Sequence, residues 1–365
     1  MRHQLTPPFG ASEGYARPGP GDRPRHWLGQ EIHPSMISRR SSLLAATAAL
    51  TLATLALSAP ASAQLREGRF RVGVLVFGVF RGPLWTAFAE ELRRLGYVVG
   101  QNTTLEVREA ESQQERLPVL AAELVALNPD VIFTSTVPPI MALKKVGTSI
   151  PVVFAGIGDP VPLGVVESIP RPGGNFTGFS NRGDEVVAKR LQLLKELVPD
   201  IIRIAMFQNP LNPGVAITVE EIIKKSKILG MEMMIPIEIK RGEDLPDAIE
   251  QAVQAGAQAL MITPDAITFN YRSTIIELLR QKRLPAVYPT PIEARDGGLI
   301  AYGADTEAQW RRAAVYVDKI LRGAKPADLP VEQGTPVFVI NLKTAAALDI
   351  QVPWTLLQRA DEVIE

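Results

Sequence analysis

Residues 151–180 read PVVFAGIGDPVPLGVVESIPRPGGNFTGFS, and this stretch decides the fold. Its first five residues are apolar and include two β-branched valines, which is typical of a buried strand. Asp159 and Pro160 follow and predict the start of a short helix, with Asp159 as its N-cap. A turn rich in Pro and Gly then leads into a second predicted strand at residues 176–180. The loop at Asp159 therefore lies at the carboxyl end of a strand, where open α/β sheets bind ligands.

On both sides of this stretch, short apolar runs alternate with segments whose apolar residues recur at helical spacing. In residues 69–180 this alternation predicts a parallel sheet covered by helices on both faces. Residues 181–298 repeat the alternation, and residues 299–365 add a short strand, a long amphipathic helix over Thr306–Leu321, a strand at Val337–Asn341 and terminal helix. The predicted fold class is α/β, with two Rossmann-like doubly wound lobes.

Composition and charge narrow the function classes. The 365 residues carry a formal net charge of zero and are 46% apolar, as in an ordinary globular protein large enough for two domains. This balance argues against nucleic acid as a partner. The chain has no cysteine, and its three histidines are His3, His26 and His33. Thiolate and imidazole chemistry are therefore unavailable beyond residue 33, and we predict no catalytic residue, metal site or cofactor.

The amino terminus reads as a targeting segment. Residues 1–35 are rich in Gly, Pro and Arg and predict a disordered or wrongly assigned extension, with Met36 as an alternative translation start. Residues 36–63 combine two arginines, an uncharged apolar run and the small residues Ala61-Ser62-Ala63, the pattern of a secretory signal peptide. We predict cleavage after Ala63 and a periplasmic mature protein. The paired arginines leave general and twin-arginine export both open.

Polar side chains and two aromatic rings lie at or near the predicted strand ends and crossovers. Hydroxyls and amides there suit a carboxylate, an aromatic ring suits an apolar group, and an acidic side chain suits an ammonium group. The candidate ligand-binding residues are Phe80, Thr134, Ser135, Thr136, Asp159, Ser180, Asn209, Asn212, Asp265, Thr290 and Tyr302.

Several of these candidates have an ordinary structural explanation as well. Asp159 is a suitable helix cap, and Ser135 and Thr136 could cap the helix that follows them. The two asparagines and Asp265 lie in turns, where Asn and Asp are common for backbone reasons. Trp85 falls on the apolar stripe of its helix, so we predict it in the core and prefer Phe80 as the aromatic residue of the site.

Three long motifs carry a resemblance to a known family: GTSIPVVFAGIGDP at 147–160, GDPVPLGVVESIPRPGGNFTG at 158–178 and VINLKTAAALDIQVPWTLLQRADEVIE at 339–365. From about Arg69 to Glu365 the chain resembles bacterial ABC-transporter substrate-binding proteins of the tryptophan/tyrosine-uptake-like family. The resemblance implies a type 1 periplasmic-binding-protein fold with a multi-crossing hinge, and a segment 299–365 that returns to pack on the first lobe.

The same resemblance implies the function. We expect a small organic solute, such as an amino acid or related carboxylate, to bind between the lobes and pass to an ABC transporter permease, through which alone the protein meets the membrane. For an amino-acid-like solute, Ser135 and Thr136 would hold the carboxylate, and Asp265, with Asp159 second, would accept the ammonium group. Two loops depart from the family's usual pattern, at residues 79–81 and 264–266.

Two other functions remain open on this fold. A ligand-sensing domain of a repressor would need a DNA-binding segment where residues 36–63 stand, and a receptor would need a transmembrane span. A carboxylate-dependent enzyme would have to work without histidine or cysteine in its folded part.

Overall fold

A computed structural model describes residues 69–181, 183–233 and 236–365. The predicted extension, signal peptide and cleavage site lie outside the described residues. In chain order the strands are β1 (Phe70–Val76), β2 (Thr103–Glu109), β3 (Val131–Ser135), β4 (Val152–Ile157), β5 (Phe176–Ser180), β6 (Arg203–Gln208), β7 (Glu232–Met233), β8 (Ile237–Glu238), β9 (Ala259–Met261), β10 (Ala286–Tyr288), β11 (Ile300–Ala304), β12 (Glu332–Gln333), β13 (Pro336–Asn341) and β14 (Glu362–Ile364).

The helices alternate with these strands. They are α1 (Pro83–Arg94), α2 (Leu117–Ala126), α3 (Val137–Val146), α4 (Gly183–Leu197), α5 (Pro213–Ile228), α6 (Leu245–Gln254), α7 (Ala266–Asn270), α8 (Arg272–Gln281), α9 (Pro291–Arg295), α10 (Thr306–Leu321), α11 (Leu342–Ala347) and α12 (Trp354–Leu357). Short 3-10 turns precede α2 and α6 and follow α10.

The strands form two sheets. The first has the order β12-β5-β4-β3-β1-β2 and is parallel throughout; the second has the order β14-β13-β11-β10-β9-β6-β7, with β8 also paired to β6. In the second sheet only the β11–β13 pair is antiparallel among the described strands. Strands such as β3 are buried along their whole length because helices cover both faces, which explains their continuous apolar sequence. The predicted α/β class is confirmed.

We call the first sheet with α1–α3 and α10 the first lobe, and the second sheet with the remaining helices the second lobe. The chain passes between them three times, after Ser180, after Ala304 and after Gln333. Helix α10 belongs to the first lobe because its apolar stripe, including Trp310, Ala313 and Val317, packs against α1 and the strands β3 to β5. The multi-crossing hinge is thus present.

The expected path of residues 299–365 is wrong in two respects. Only α10, the 3-10 turn after it and β12 return to the first lobe, whereas β13 and β14 extend the second sheet. The physical reason is the free edge of β11 in the second sheet. All five residues of β11 pair antiparallel with residues 336–340 of β13, so the backbone groups on this edge are hydrogen-bonded. The chain also ends in a strand rather than a helix, since residues 362–364 pair with β13.

The helix predicted after Asp159 is likewise a set of turns. The Asp159 carboxylate does accept a hydrogen bond from the Val161 amide at 2.9 Å, but the chain makes no helix beyond it. Pro162 limits the backbone there, and Gly164, with φ of 62°, takes a left-handed conformation that ends the turn. Asp159 therefore caps the following turn as predicted, but the predicted helix is wrong.

Candidate functional site

A cavity of about 350 Å³ opens at the carboxyl ends of the strands in both sheets. The first lobe contributes the loops after β1, β3 and β4 and the start of α10. The second lobe contributes the loops after β9 and β10 with the helices α7 and α9 that follow them. Because parallel strands point their carboxyl ends to the same edge, both lobes present helix-starting loops to one space.

Much of the wall is apolar. Phe77, Leu84 and Trp310 line it from the first lobe, and Phe269 and Ile292 from the second. The Trp310 ring is fixed by an edge-on contact with Phe133, at 4.8 Å between ring centroids. Such a wall accommodates an apolar or aromatic group of a ligand.

Four of the predicted residues line this cavity: Ser135, Thr136, Asp265 and Thr290. Thr134 lies just behind them, where its buried hydroxyl donates to the Leu75 carbonyl and ties β3 to β1. Sequence reasoning placed these residues because each ends a predicted strand or follows one.

The remaining predicted residues lie away from the cavity wall. Phe80 packs on Trp85 with 4.1 Å between ring centroids, and Tyr302 packs on Phe338 in the second lobe. Asp159 is exposed and engaged with its own turn, and Ser180 is buried at the first crossing. The last two, Asn209 and Asn212, are buried behind Asp265.

Thr136 has an unusual backbone for a β-branched residue. Its φ of 66° and ψ of 164° fall in a region that is essentially confined to glycine. Although it stands at the N-cap of α3, its side chain makes no capping hydrogen bond, and its buried Oγ1 has no partner among the described residues. Two prolines follow, Pro138 and Pro139, so the first turn of α3 offers few amide donors besides Val137.

Replacing Thr136 with glycine should therefore separate stability from binding. Relief of the strained backbone is expected to raise the free energy of unfolding by about 1 kcal/mol. Loss of Oγ1 is expected to weaken ligand affinity about tenfold, the value of one hydrogen bond. Denaturant unfolding and calorimetry on the same preparation check both effects, with Thr148→Gly outside the cavity as control; lower stability would contradict the strain argument.

Asp265 is held by a hydrogen-bond network within the second lobe. Its Oδ2 accepts from the Asn212 side chain at 2.6 Å and the Asn209 side chain at 3.1 Å, and its Oδ1 accepts from the Ile267 amide at 2.8 Å. The amide orientations are fixed because each asparagine oxygen accepts a backbone N–H, from Leu211 and from Gly214. Burial raises the pKa of Asp265, and these hydrogen bonds oppose that rise.

Glu293 also lines the cavity and was missed from the sequence. It is fully buried, and its Oε2 accepts from the amide and the hydroxyl of Thr290 at 2.8 and 3.1 Å. Its Oε1 has no partner among the described residues. Burial raises its pKa to about 7, against the lowering effect of the Thr290 hydrogen bonds and of the nearby Arg190 and Arg272. The signal available was Thr290-Pro291-Ile292-Glu293, a capping box directly after a strand.

Arg190 supports the loop that carries Thr290 and Glu293. From α4 its buried guanidinium donates to the Tyr302 carbonyl at 2.6 Å and the Pro289 carbonyl at 2.9 Å. Burial lowers its pKa to about 10, so it stays a cation at neutral pH. Gly303 permits this approach, since a Cβ there would lie 1.9 Å from the Pro289 oxygen.

The lobes contact each other beside the cavity. Asn270 of the second lobe donates to the Ser112 hydroxyl at 3.2 Å and lies against Gly78, whose missing side chain leaves the space it fills. Gln114 donates to the Leu211 carbonyl at 2.7 Å across the same boundary. A ligand in this cavity would therefore be enclosed by both lobes.

Three comparisons describe what the chain is similar to. A family model for ABC transporter substrate binding proteins matches residues 83–364. The tyrosine-binding protein of Clostridioides difficile (strain R20291) is 24% identical over 268 residues, 72% of this chain and 76% of that protein.

Solved structures share the fold. A conserved domain protein from Vibrio cholerae O1 has a TM-score of 0.74 at 24% identity, covering 80% of this chain and 99% of its own. The ABC domain from Streptococcus pneumonia in complex with L-Trp has a TM-score of 0.73 at 23% identity, covering 81% and 100%. The two-lobed architecture is the type 1 periplasmic-binding-protein fold. Across the described part of the chain, no helix has the length and apolar character to cross a bilayer.

Proposed function

The chain belongs to the family of ABC transporter substrate-binding proteins, and from that premise we propose that it captures a small organic solute, an amino acid or related carboxylate, between its two lobes. The proposal includes export to the periplasm through residues 36–63 and delivery of the solute to an ABC transporter permease. Its action is binding without chemical conversion of the solute.

The observation that carries this proposal is the shared cavity. It is lined from both lobes, it combines an apolar wall with a few polar groups, and three chain crossings connect the lobes, two of them reaching its wall at Asn181 and Thr306. A solute seated there contacts both lobes at once, so its binding energy favours their closed arrangement. Residues 64–365 contain no histidine or cysteine, which supports a binding role over catalysis.

Relatives support the amino-acid class. The tyrosine-binding protein and the structure with L-Trp both concern aromatic amino acids. In this chain, Ser135 and Thr136 present hydroxyls suited to a carboxylate, and Trp310 and Phe269 present apolar surface for a side chain.

Ligand-dependent closure tests the function. A thermal-shift screen of amino acids, sugars and carboxylates should reveal a stabilising solute, because a ligand that binds only the folded state raises the unfolding midpoint. Small-angle scattering with that solute should show a smaller radius of gyration than without it. Recovery of the solute unchanged after incubation distinguishes a carrier from an enzyme, and conversion of the solute would overturn the proposal.

The proposed export has its own test. Protein taken from a periplasmic extract should have the intact mass of a chain that begins at Gln64.

A further inference from the structure

We propose that Glu293 is the receptor for a protonated amine on the bound solute, which makes the cavity a site for amine-bearing solutes with an apolar body rather than for simple carboxylates. The inference rests on the proposed function, since it concerns the ligand of the same cavity. It differs from the expectation that Asp265 would accept the ammonium group.

Unpartnered buried atoms identify the polar ends of the site. Within the described ranges, the buried side-chain atoms without a hydrogen-bond partner are Gln114 Oε1, Thr136 Oγ1, Ser180 Oγ, Glu293 Oε1 and Gln309 Oε1. Only the threonine and the glutamate among them line the cavity, and they come from opposite lobes. Because an unsatisfied buried polar atom is costly, these two are where a ligand gains most by supplying partners.

Hydrogen-bond capacity separates the two acidic residues of the cavity. A carboxylate accepts about four hydrogen bonds, and Asp265 already receives bonds from Asn209, Asn212 and Ile267 with a further backbone contact from Ala266. Glu293 uses one oxygen for Thr290 and keeps the other free. Among the described residues of the cavity wall, Glu293 Oε1 is therefore the one carboxylate oxygen that still lacks a donor, and it lies in a buried position.

The neighbouring charges leave this acceptor to the ligand. Arg190, on α4, directs its donors to two backbone carbonyls. Arg272, on α8, is bonded to Asp296 at 2.6 Å and to the Phe269 carbonyl at 3.0 Å. Both arginines lie close enough to lower the pKa of Glu293, yet neither donates a hydrogen bond to it. Tyr288 on β10 is a buried neighbour, and its pKa is raised by burial and by the charge of Glu293. A ligand ammonium group fits an anion that is buried and half satisfied.

The rest of the cavity completes the ligand class. Thr136 Oγ1 on the first lobe can donate to a carboxylate, while Phe269 and Trp310 provide apolar wall between the lobes. A solute with an amine, a carboxylate and an aromatic or aliphatic body satisfies all three features. An amine bound to Glu293 also recruits the second lobe, so closure depends on the amine.

Calorimetry with matched probes tests this assignment. The probes are L-tyrosine and L-tryptophan, with 3-(4-hydroxyphenyl)propionate and 3-(indol-3-yl)propionate as analogues that lack only the amine. We expect an amino acid to bind at least about 30-fold more tightly than its analogue, and Glu293→Gln to abolish that difference. In Glu293→Gln the side-chain oxygen can keep the Thr290 hydrogen bonds while an NH₂ group takes the place of Oε1. The group that would meet the ligand's amine thus changes from an acceptor to a donor.

Two further readouts exclude a merely structural role. The unfolding midpoint of ligand-free Glu293→Gln should stay within about 2 °C of the parent, because the replaced oxygen had no partner. At pH 7, amine binding should release about half a proton from Glu293, and the affinity should fall as the pH drops below 7 and the carboxylate protonates. Glu293→Gln should release none, whereas Asp159→Asn, an exposed acid outside the cavity, should behave as the parent.

The outcomes are distinguishable from failure of the function itself. Equal affinity for amino acid and analogue, or unchanged affinity in Glu293→Gln, overturns the role of Glu293 and leaves a solute-binding protein. A parent that binds neither these probes nor any member of the wider screen overturns the inference together with the proposed function.

Discussion

Replacing Arg190 with methionine is expected to lower the free energy of unfolding by about 2–5 kcal/mol. The guanidinium donates to the carbonyls of Tyr302 and Pro289. In the variant, both buried carbonyls would lose this donor. Methionine keeps most of the apolar volume, so the loss reports the hydrogen bonds rather than a cavity. Urea unfolding monitored by circular dichroism measures it.

The control for this variant is Lys189→Met, one residue earlier on α4, where the ammonium group has a single hydrogen bond within the described residues, to the Gln192 side chain at 3.4 Å. It should change stability by no more than about 0.5 kcal/mol. In Arg190→Met the pKa of Glu293 should rise from about 7, because one of the cations that lowers it is gone. Equal stability of the two variants would contradict the role given to the arginine.

Replacing Asp265 with alanine is expected to cost about 2–4 kcal/mol of folding free energy. The side chains of Asn209 and Asn212 and the amide of Ile267 would lose their acceptor inside the second lobe. The asparagines cannot turn their amides round to compensate, since their oxygens already accept from the backbone. Thermal and urea unfolding of the ligand-free protein check the loss.

The matched control is Asp159→Ala, which removes an exposed acid with one hydrogen bond to its own turn. We expect a change of about 0.5–1 kcal/mol there, the cost of a local cap. If Asp265→Ala were as stable as the parent but bound the solute weakly, the aspartate would be a ligand contact rather than a structural one.

Local sequence patterns predicted the elements well. The strand at 176–180 and the long helix at 306–321 appear with the expected bounds, because their apolar spacing and their flanking Gly, Pro and Asp residues agree. The return of residues 336–364 to the second sheet was not predictable. Which open sheet edge a strand will pair with depends on long-range contacts, and no local pattern in VFVIN records it.

The site was predictable only where it coincides with strand ends. Ser135, Thr136, Asp265 and Thr290 follow apolar runs, and the structure places them on the cavity wall. Glu293 lies one helical turn beyond Thr290, where a sequence suggests a cap and nothing more. Its free oxygen, and the saturation of Asp265 by two asparagines from another loop, are properties of the folded arrangement alone.

The three crossings also bear on how the protein acquires its fold. Neither lobe is a continuous piece of chain: the first sheet needs β12 from near residue 332, and the second needs β13 and β14 from the final thirty residues. Such a chain has high contact order, and parallel sheets closed by distant segments form slowly. Until residues 336–341 are available the β11 edge has no β13 partner, and until residues 332–333 are available the β5 edge has no β12 partner. The topology therefore delays the completion of both sheets until the last segments of the chain are available.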